Sequence, residues 1–545
     1  MRQDNFIQGD FSMVHKKLLV CTAYVCAQAL TLSAYTTPYC ATPTHLTPRS
    51  QGEHIERLNV GLSNYLTKAA TEDYYGAFSI TPAYSRSFNP TALAANLFGD
   101  FLQTNRALTI AGASADPVAN GTTDLRAEWL YLPTTYRGSM YFTPRIQNFT
   151  TDFDLYFGMD QWVEGLFARI NMTTVHTKWD LGLNSVIEQL GAQTISGITY
   201  LGDQMDYFCK EKAPTGSPVT IAPLAYTRIC TNACSKNGIA DIHADLGWKI
   251  LIDDNFHLGL LVRTVAPTGT RNNGTMLFAP VIGNGHHWEL GGGLTSSYLL
   301  WHNEECEDRL GFYVDFYLTH LFNTRECRVF DLKHKPFSRY MTAAKITDGT
   351  TIDTFAPIAN ITASRVDVRV NAQSDLALWF DYTHKNMTAD LGYNLWARSC
   401  EKVSCPSSCS DCSSCCPNIL TNADESWGIR NINGGAELTA SDATITSLGT
   451  ADATPVYLTT SDLDFRGGAT RGMTHTLFGH LAYNWFDKIN VPYIGLGGSV
   501  EFSRSSGCKP ASSCDSCYHA YSCAPCCRTV ALSQWTLWAK GGVAF

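Results

Sequence analysis

The sequence predicts an all-β fold, a transmembrane antiparallel up-and-down β-barrel of about 16 strands, with 12–18 as the accepted range. Three observations support this prediction. A stretch typical of an export signal lies near the N-terminus, and long segments alternate between apolar and polar residues. Charged residues make up 16% of the chain and aromatic residues 12%, whereas an ordinary soluble domain is about 25% charged.

The N-terminal 41 residues are predicted to form an extension followed by an export signal. His15, Lys16 and Lys17 precede the apolar stretch LLVCTAYVCAQALTLSA, which ends in small residues. Translation starting at Met13 gives this signal its usual form. A membrane anchor is the alternative for this stretch. After residue 41 no apolar run approaches the roughly 20 residues of a spanning helix, so strands are the remaining way to cross a membrane. We assign residues 42–74 to a periplasmic or lumenal segment and 75–545 to the barrel.

The C-terminal segment QWTLWAKGGVAF shows the alternation of a strand with one face in lipid. One face carries Trp535, Leu537, Ala539, Gly541, Val543 and Phe545. The other face carries Gln534, Thr536, Trp538, Lys540, Gly542 and Ala544. Because side chains of a strand point alternately to its two sides, the first face is predicted to contact lipid and Lys540 to point into the lumen.

The same alternation recurs upstream in pairs of segments joined by short turns, which is typical of hairpins. The candidate strands are 75–87, 125–132, 138–149, 152–159, 165–182, 241–251, 255–265, 286–300, 309–322, 338–346, 365–371, 375–382, 388–398, 474–485, 493–503 and 530–545. A secreted β-sandwich or β-helix also has alternating strands, but its strands average five or six residues and its outer face is charged.

An even strand number places the short turns at 252–255, 302–308, 383–387 and 487–492 on the periplasmic side. The long loops 183–240, 266–285, 399–473 and 504–529 then face outward. An export signal, amphipathic hairpins and a terminal aromatic strand together resemble Gram-negative outer-membrane β-barrels of the porin or major outer membrane protein type. That resemblance implies that Trp535, Leu537, Val543 and Phe545 contribute to the signal read by the barrel-assembly machinery.

Cysteines are concentrated in the predicted outer loops. The disulfide candidates are Cys209, Cys230, Cys234, Cys400, Cys405, Cys409, Cys412, Cys415, Cys416, Cys508, Cys514, Cys517, Cys523, Cys526 and Cys527. Export to an oxidising compartment favours disulfides, while the C-x-x-C spacings leave zinc binding as the minority alternative. Cys306 and Cys327 are predicted not to pair, because a membrane strand separates them.

The sequence contains no motif of an enzyme or of a cofactor site, so we predict neither catalysis nor a cofactor. The net charge of −9 disfavours nucleic acid as a partner. The candidate lumen residues are Arg169, Asp245, Lys249, His257, Arg263, Glu289, Arg309, Asp315, Asp381, Asp390, Arg398, His480, Glu501 and Lys540. Both signs occur, which predicts a water-filled channel without strong ion preference. Salt bridges within a plugged lumen are the alternative.

The predicted function is therefore an outer-membrane, porin-like channel for passive diffusion of small hydrophilic solutes. The alternative is a disulfide-stabilised structural or adhesive surface barrel, because a loop of about 75 residues exceeds what a pore needs. Expected partners are outer-membrane lipid, the assembly machinery and the solutes. A homo-oligomer or disulfide-linked envelope proteins are further possible partners.

Overall fold

The computed structural model describes residues 44–61, 74–98, 107–115, 125–195, 197–253, 255–333, 335, 337–347, 351–405, 427–429, 456–488, 490–503, 528–529 and 531–545. These residues belong to one compact unit, formed by Cys40–Gly507 and Cys526–Phe545. The predicted export signal lies outside the described residues. No described helix is long and apolar enough to span a bilayer.

Twelve antiparallel strands of the described chain close into a barrel. They are β1 (Tyr75–Ser87), β2 (Arg145–Gly158), β3 (Leu166–Asp180), β4 (Cys234–Asp253), β5 (Phe256–Ala266), β6 (Glu289–Asn303), β7 (Asp308–Arg328), β8 (Ser364–His384), β9 (Met387–Arg398), β10 (Thr470–Asn484), β11 (Val491–Ser503) and β12 (Gln534–Ala544). Each strand pairs with the next in the chain, and β12 pairs with β1, where Phe78 lies opposite Val543. A closed sheet leaves no unpaired edge.

The two ends of the barrel differ. The turn end carries the short connections 159–165, 254–255, 304–307, 385–386 and 485–490, together with the start of β1 and the end of β12. The loop end carries the connections 88–144, 181–233, 267–288, 329–363, 399–469 and 504–533. The predicted turns lie at one end, and the described residues that connect strands within the predicted long loops lie at the other. The side of the membrane that each end faces stays a prediction.

The predicted number of sixteen strands is wrong, because the prediction contains four strands more than the barrel has. Segments 125–132 and 338–346 do not enter the barrel. Segment 152–159 continues the strand begun at Arg145, so the predicted break before it does not exist, and 365–371 and 375–382 are parts of β8. Two of the surplus strands fall between β1 and β3, and the other two fall between β7 and β9. Because each pair adds an even number of crossings, the assignment of turns and loops to the two ends is unchanged.

The long connections fold into a cap at the loop end, which we define as the described residues of 88–144, 181–233, 267–288, 329–363 and 399–469. One small sheet contains Ala107–Ala111, Leu125–Arg126, Arg137–Tyr141 and Asn184–Gln189; another contains Thr220–Ile221, Thr342–Thr347, Thr351–Pro357, Trp427–Ile429 and Val456–Tyr457. Thr194–Ile195 pairs with Ile198–Thr199, Glu401–Ser404 pairs with β8, and Arg528–Thr529 pairs with β10.

Helices contribute little to the described chain. They are α1 (Ile55–Asn59), α2 (Pro90–Phe98), α3 (Gln204–Phe208) and α4 (Ile358–Thr362), with 3-10 turns at Ala127–Leu130, Ser338–Tyr340 and Thr460–Asp462. The last three helices lie in the cap, whose core buries large side chains from several connections, among them Phe98, Tyr131, Phe208 and Tyr340. The cap therefore has an apolar core, which continues onto the loop end of the barrel through Ile146 and Trp179.

The outer face of the barrel carries an apolar belt to which every strand contributes. Its exposed side chains include Phe78, Phe149, Leu155, Ile170, Leu246, Leu260, Val262, Leu290, Leu318, Phe380, Leu391, Leu477, Leu481, Ile494, Leu496 and Leu537. A monomeric soluble protein rarely exposes a continuous apolar surface of this extent, whereas a membrane barrel requires one where it meets lipid.

Candidate functional site: the occupied lumen

The lumen of the barrel contains a chain segment, residues 44–61, which we call the lumen segment. All of its residues are buried except Glu53, which is half-buried. Its polar atoms contact side chains on β2, β3, β4, β7, β8, β9 and β12. Only a chain inside the barrel can reach strands on all sides of it. This overturns the prediction of an open, water-filled lumen for the structure described here.

The lumen segment runs from the loop end toward the turn end. The Thr44 N–H donates to the carbonyl oxygen of Gly467 in the cap at 3.1 Å. The carbonyl oxygen of Thr47 accepts from Arg398, the last residue of β9, at 2.8 Å. The Gly61 N–H donates to Asp390, near the start of β9, at 2.9 Å. The segment thus spans much of the length of β9.

Arg49 anchors the upper half of the segment. Its Nη2 atom lies 2.7 Å from Oδ2 of Asp375 on β8, and its Nη1 donates to Oδ1 of Asn394 on β9 at 3.1 Å. The guanidinium carbon lies 5.8 Å from the ring centre of Trp396, within range of a cation–π contact. Glu501 is 4.0 Å away on β11. A single buried cation therefore joins three strands.

The lower half of the segment contains α1 and is held at its carbonyl end. Lys540 on β12 donates to the carbonyl oxygens of Arg57, Leu58 and Val60 at 3.0, 2.6 and 2.9 Å. The last carbonyls of a helix have no partner within the helix, so an ammonium group is a favourable ligand for them. Arg57 in turn lies 3.1 Å from Asp152 on β2.

The structure places the predicted lumen residues on the inner wall, and all except Arg309 are buried. Several contact each other: Arg263 binds Asp245 through two nitrogens at 2.7 and 2.6 Å, and His480 lies 3.1 Å from Asp390. Others contact the lumen segment, including Arg398 and Lys540. Whether this wall conducts ions or solutes stays a prediction.

Sequence reasoning missed several wall carboxylates that the structure brings to the segment. Asp152 and Asp154 lie on β2, and Asp241 and Asp375 lie on β4 and β8. The strand break predicted near residue 150 hid the alternation of Asn148, Thr150, Asp152 and Asp154, whose side chains are all buried on the inner face. Without that predicted break, the alternation would have identified Asp152 and Asp154 as inward-facing residues.

The wall carries more buried acidic than basic side chains. The buried acidic residues that face the lumen from the twelve strands are Asp152, Asp154, Asp241, Asp245, Glu289, Asp315, Glu326, Asp375, Asp381, Asp390 and Glu501. The buried Lys and Arg residues on the same strands are Arg169, Lys249, Arg263, Arg328, Arg398 and Lys540. The inner wall thus has eleven buried carboxylates and six buried cations.

Five of the cysteines in the described chain are free thiols: Cys209, Cys230, Cys234, Cys306 and Cys405. The predicted disulfides are therefore not formed at four of these positions, and Cys306 does not pair with Cys327. Cys327 and Cys400 are disulfide-bonded. Burial, followed by the neighbouring Cys209, raises the pKa of Cys230 to about 12.

The remaining disulfide candidates lie outside the described residues. They are Cys409, Cys412, Cys415, Cys416, Cys508, Cys514, Cys517, Cys523, Cys526 and Cys527. Within the described chain no group of three or more His, Cys, Asp or Glu side chains is arranged to hold a metal ion. The minority prediction of zinc concerns the undescribed clusters.

At the C-terminal strand, Leu537 is exposed on the outer face and Lys540 is buried in the lumen. Phe545 is exposed, and its backbone exchanges two 2.9 Å hydrogen bonds with Gly76 at the start of β1. The role of Trp535, Leu537, Val543 and Phe545 as an assembly signal stays a prediction.

The fold and the apolar belt define this chain as a closed antiparallel β-barrel of the membrane type. No family model matches the sequence, and no curated protein matches it. Among solved structures, a TodX deltaS2S3 mutant monoaromatic hydrocarbon channel shares 10% identity over 89% of this chain and 94% of that chain, with a TM-score of 0.29. At this level the similarity carries no argument about function.

Two further solved structures are similar at the same low level. A Pseudomonas aeruginosa FadL homologue shares 8% identity over 94% of this chain and 99% of its own, with a TM-score of 0.27. The Ralstonia pickettii toluene transporter TbuX shares 8% identity over 92% and 97%, with a TM-score of 0.20. The functional argument therefore rests on the lumen itself.

Proposed function

We propose that the protein is an outer-membrane channel for small hydrophilic solutes, closed by the lumen segment in the state described here. The observation that carries this proposal is the polar attachment of the segment. Arg49, Arg57 and the α1 carbonyls are bound by wall charges. Water can replace polar contacts of this kind when a segment leaves. The apolar contacts that are lost, at a cost of about 25 cal/mol for each Å² exposed, are mainly those of Leu46, Ile55 and Val60.

The width of the barrel supports the same proposal. Barrels of eight strands are filled by their own side chains, and wider ones leave space in the lumen. Here twelve strands enclose a polypeptide segment with charged and hydrogen-bonding groups around it. Displacing that segment would leave a passage lined by the charged and hydrogen-bonding wall residues and by the aromatic side chains that pack around Ile55 and Val60, among them Trp379 and Trp538. The charged groups on this wall favour hydrophilic solutes.

A disulfide that fixes the segment to the wall tests the proposal. A Cβ atom built on Gly52 would lie 3.6 Å from the Cβ of Ala240 on β4, and disulfides need a Cβ separation of about 3.5–4.5 Å. We therefore expect the double variant Gly52→Cys/Ala240→Cys to form a crosslink. Peptide mapping would establish that the two introduced thiols are joined to each other and not to native cysteines.

Conductance in planar bilayers is then compared for the oxidised and reduced double variant. We expect the oxidised form to be silent and the reductant to restore the openings of the wild type. The single variants Gly52→Cys and Ala240→Cys, treated in the same way, control for the native disulfides. Unchanged conductance in the crosslinked form would rule out the segment as the gate.

The runner-up function is a structural surface barrel without transport. The folded cap favours it, because the cap adds an apolar core that simple diffusion does not need. Silence of both the wild type and the reduced double variant, in protein that is correctly folded, would support this alternative over the channel.

A further inference from the structure

The groups around Arg49 form a binding site that is built mainly by the wall of the barrel. Asp375 and Asn394 lie on neighbouring strands and accept from two different nitrogens of one guanidinium. The Nδ2 atom of Asn394 also donates to Asp375 at 2.5 Å, which fixes the amide with its oxygen toward the cation. Trp396 is buried beside them. A planar, forked cation fits such a set of acceptors better than a spherical ammonium does.

The wall cations near the segment are engaged with other groups. Arg398 lies 5.7 Å from the ring centre of Trp396, but its guanidinium donates to Thr47 and Thr470 and lies 3.9 Å from Glu401. Arg169 already binds Asp154 through two nitrogens at 2.7 and 2.8 Å, and Arg263 binds Asp245 in the same manner. Lys540 lies on β12 and is directed at the α1 carbonyls. Arg169 and Arg263 are therefore neutralised by carboxylates of the wall itself. The carboxylates that face the lumen segment instead receive part of their hydrogen bonds from the segment.

Departure of the segment leaves those carboxylates with neutral partners only. Asp375 keeps Asn394, Asp152 keeps Thr173, and Glu501 keeps Gln534. Arg49 and Arg57, which bind Asp375 and Asp152, leave together with Glu53 and Glu56, so the departing segment removes as many carboxylates as guanidinium groups. The charge of the vacated lumen is therefore set by the wall, whose buried carboxylates outnumber its buried Lys and Arg side chains.

We propose, building on the channel function above, that Asp375, Asn394 and Trp396 form a subsite for cationic solutes that bear a guanidinium group. In the closed state Arg49 occupies this subsite as a tethered substitute for the solute. In the open state the subsite and the acidic wall make the channel selective for cations. This differs from the absence of ion preference that the sequence alone predicts.

The first experiment measures the reversal potential of the full-length protein in a KCl gradient. We expect the potential of a channel that favours K⁺ over Cl⁻, and Asp375→Asn to move it toward zero. A potential of the opposite sign, or none, in a channel that conducts would overturn the cation proposal and leave the channel proposal standing. Complete silence would overturn both.

The second experiment probes the guanidinium subsite with argininamide and with citrullinamide, which keeps the α-amino group but carries a neutral urea in place of the guanidinium. Argininamide should block or slow the K⁺ current in a saturable manner, whereas citrullinamide should not. Asp375→Asn should weaken the block about tenfold or more, as expected when a charge-assisted pair is lost. Asp367→Asn, which alters a half-exposed pair with Arg325 outside the lumen, is the matched control. Equal block by both compounds would contradict the subsite.

Discussion

Replacing Arg49 by Met should open the channel. In the closed state this change leaves Asp375 as a buried carboxylate without a cation, and Glu501 loses the cation 4.0 Å away. Removing one partner of a buried ion pair costs about 3–5 kcal/mol. In the open state water solvates Asp375, so the cost falls on the closed state alone and shifts the equilibrium between the two.

The lower end of that range applies here because Asp375 keeps its hydrogen bond from Asn394. A penalty of about 3 kcal/mol corresponds to a roughly 150-fold change in an equilibrium constant. We therefore expect the ratio of open to closed times of Arg49→Met in planar bilayers to exceed that of the wild type by about two orders of magnitude.

Two variants control this prediction. Arg325→Met removes an arginine of similar size whose partner Asp367 is only partly buried, and an exposed pair contributes at most about 1 kcal/mol. Its open times should stay close to the wild type. The double variant Arg49→Met/Asp375→Asn removes the uncompensated charge and should close the channel again. Correctly folded Arg49→Met with the open times of Arg325→Met would refute the reasoning.

Three other predictions concern the belt, the C-terminus and the cysteines. Leu496 is 68% exposed on the outer face of β11. Changing it to Arg should lower the free energy of unfolding in liposomes by about 2–4 kcal/mol, whereas Leu496→Ile should change this free energy little. Equal stability of the two variants would argue against lipid contact. Deleting Phe545 removes its two backbone bonds to Gly76 and should reduce the surface level before it alters the conductance of assembled protein; normal surface levels would contradict this. Exposed Cys306 should react with maleimide near neutral pH much faster than Cys230, because a pKa of about 12 leaves Cys230 almost entirely as thiol. Peptide mapping of the labelled protein measures both rates, and faster labelling of Cys230 would contradict this prediction.

Alternation sufficed to predict most strands, because lipid on one side and polar groups on the other impose a period of two. It failed where a different apolar environment produced the same pattern. Segment 338–346 contains Ala343 and Ala344, which are buried in the cap rather than exposed to lipid. A period of two shows that one face is apolar but does not distinguish hydrocarbon from a protein core.

The candidate site was less predictable than the barrel. Inward-facing residues such as Asp245 and Lys540 follow from strand parity, so the sequence identified them. The sequence left residues 42–74 either periplasmic or lumenal, because the burial of the lumen segment comes from partners distant in the chain, such as Asp375 for Arg49. No local sequence pattern in residues 44–61 indicates those partners, and only the closed barrel brings the segment and its partners together.

The bond from Lys540 to the carbonyl of Arg57 joins residues 483 positions apart. Contacts between such distant parts of a chain form late in folding, since the intervening chain must first be ordered. The lumen segment precedes every strand in the chain, yet its ring of partners is complete only when β12 has joined β1. The strand that closes the sheet thus also supplies the cation that binds the carbonyl end of α1, so that closure of the barrel and retention of its lumen segment depend on the same twelve residues at the C-terminus.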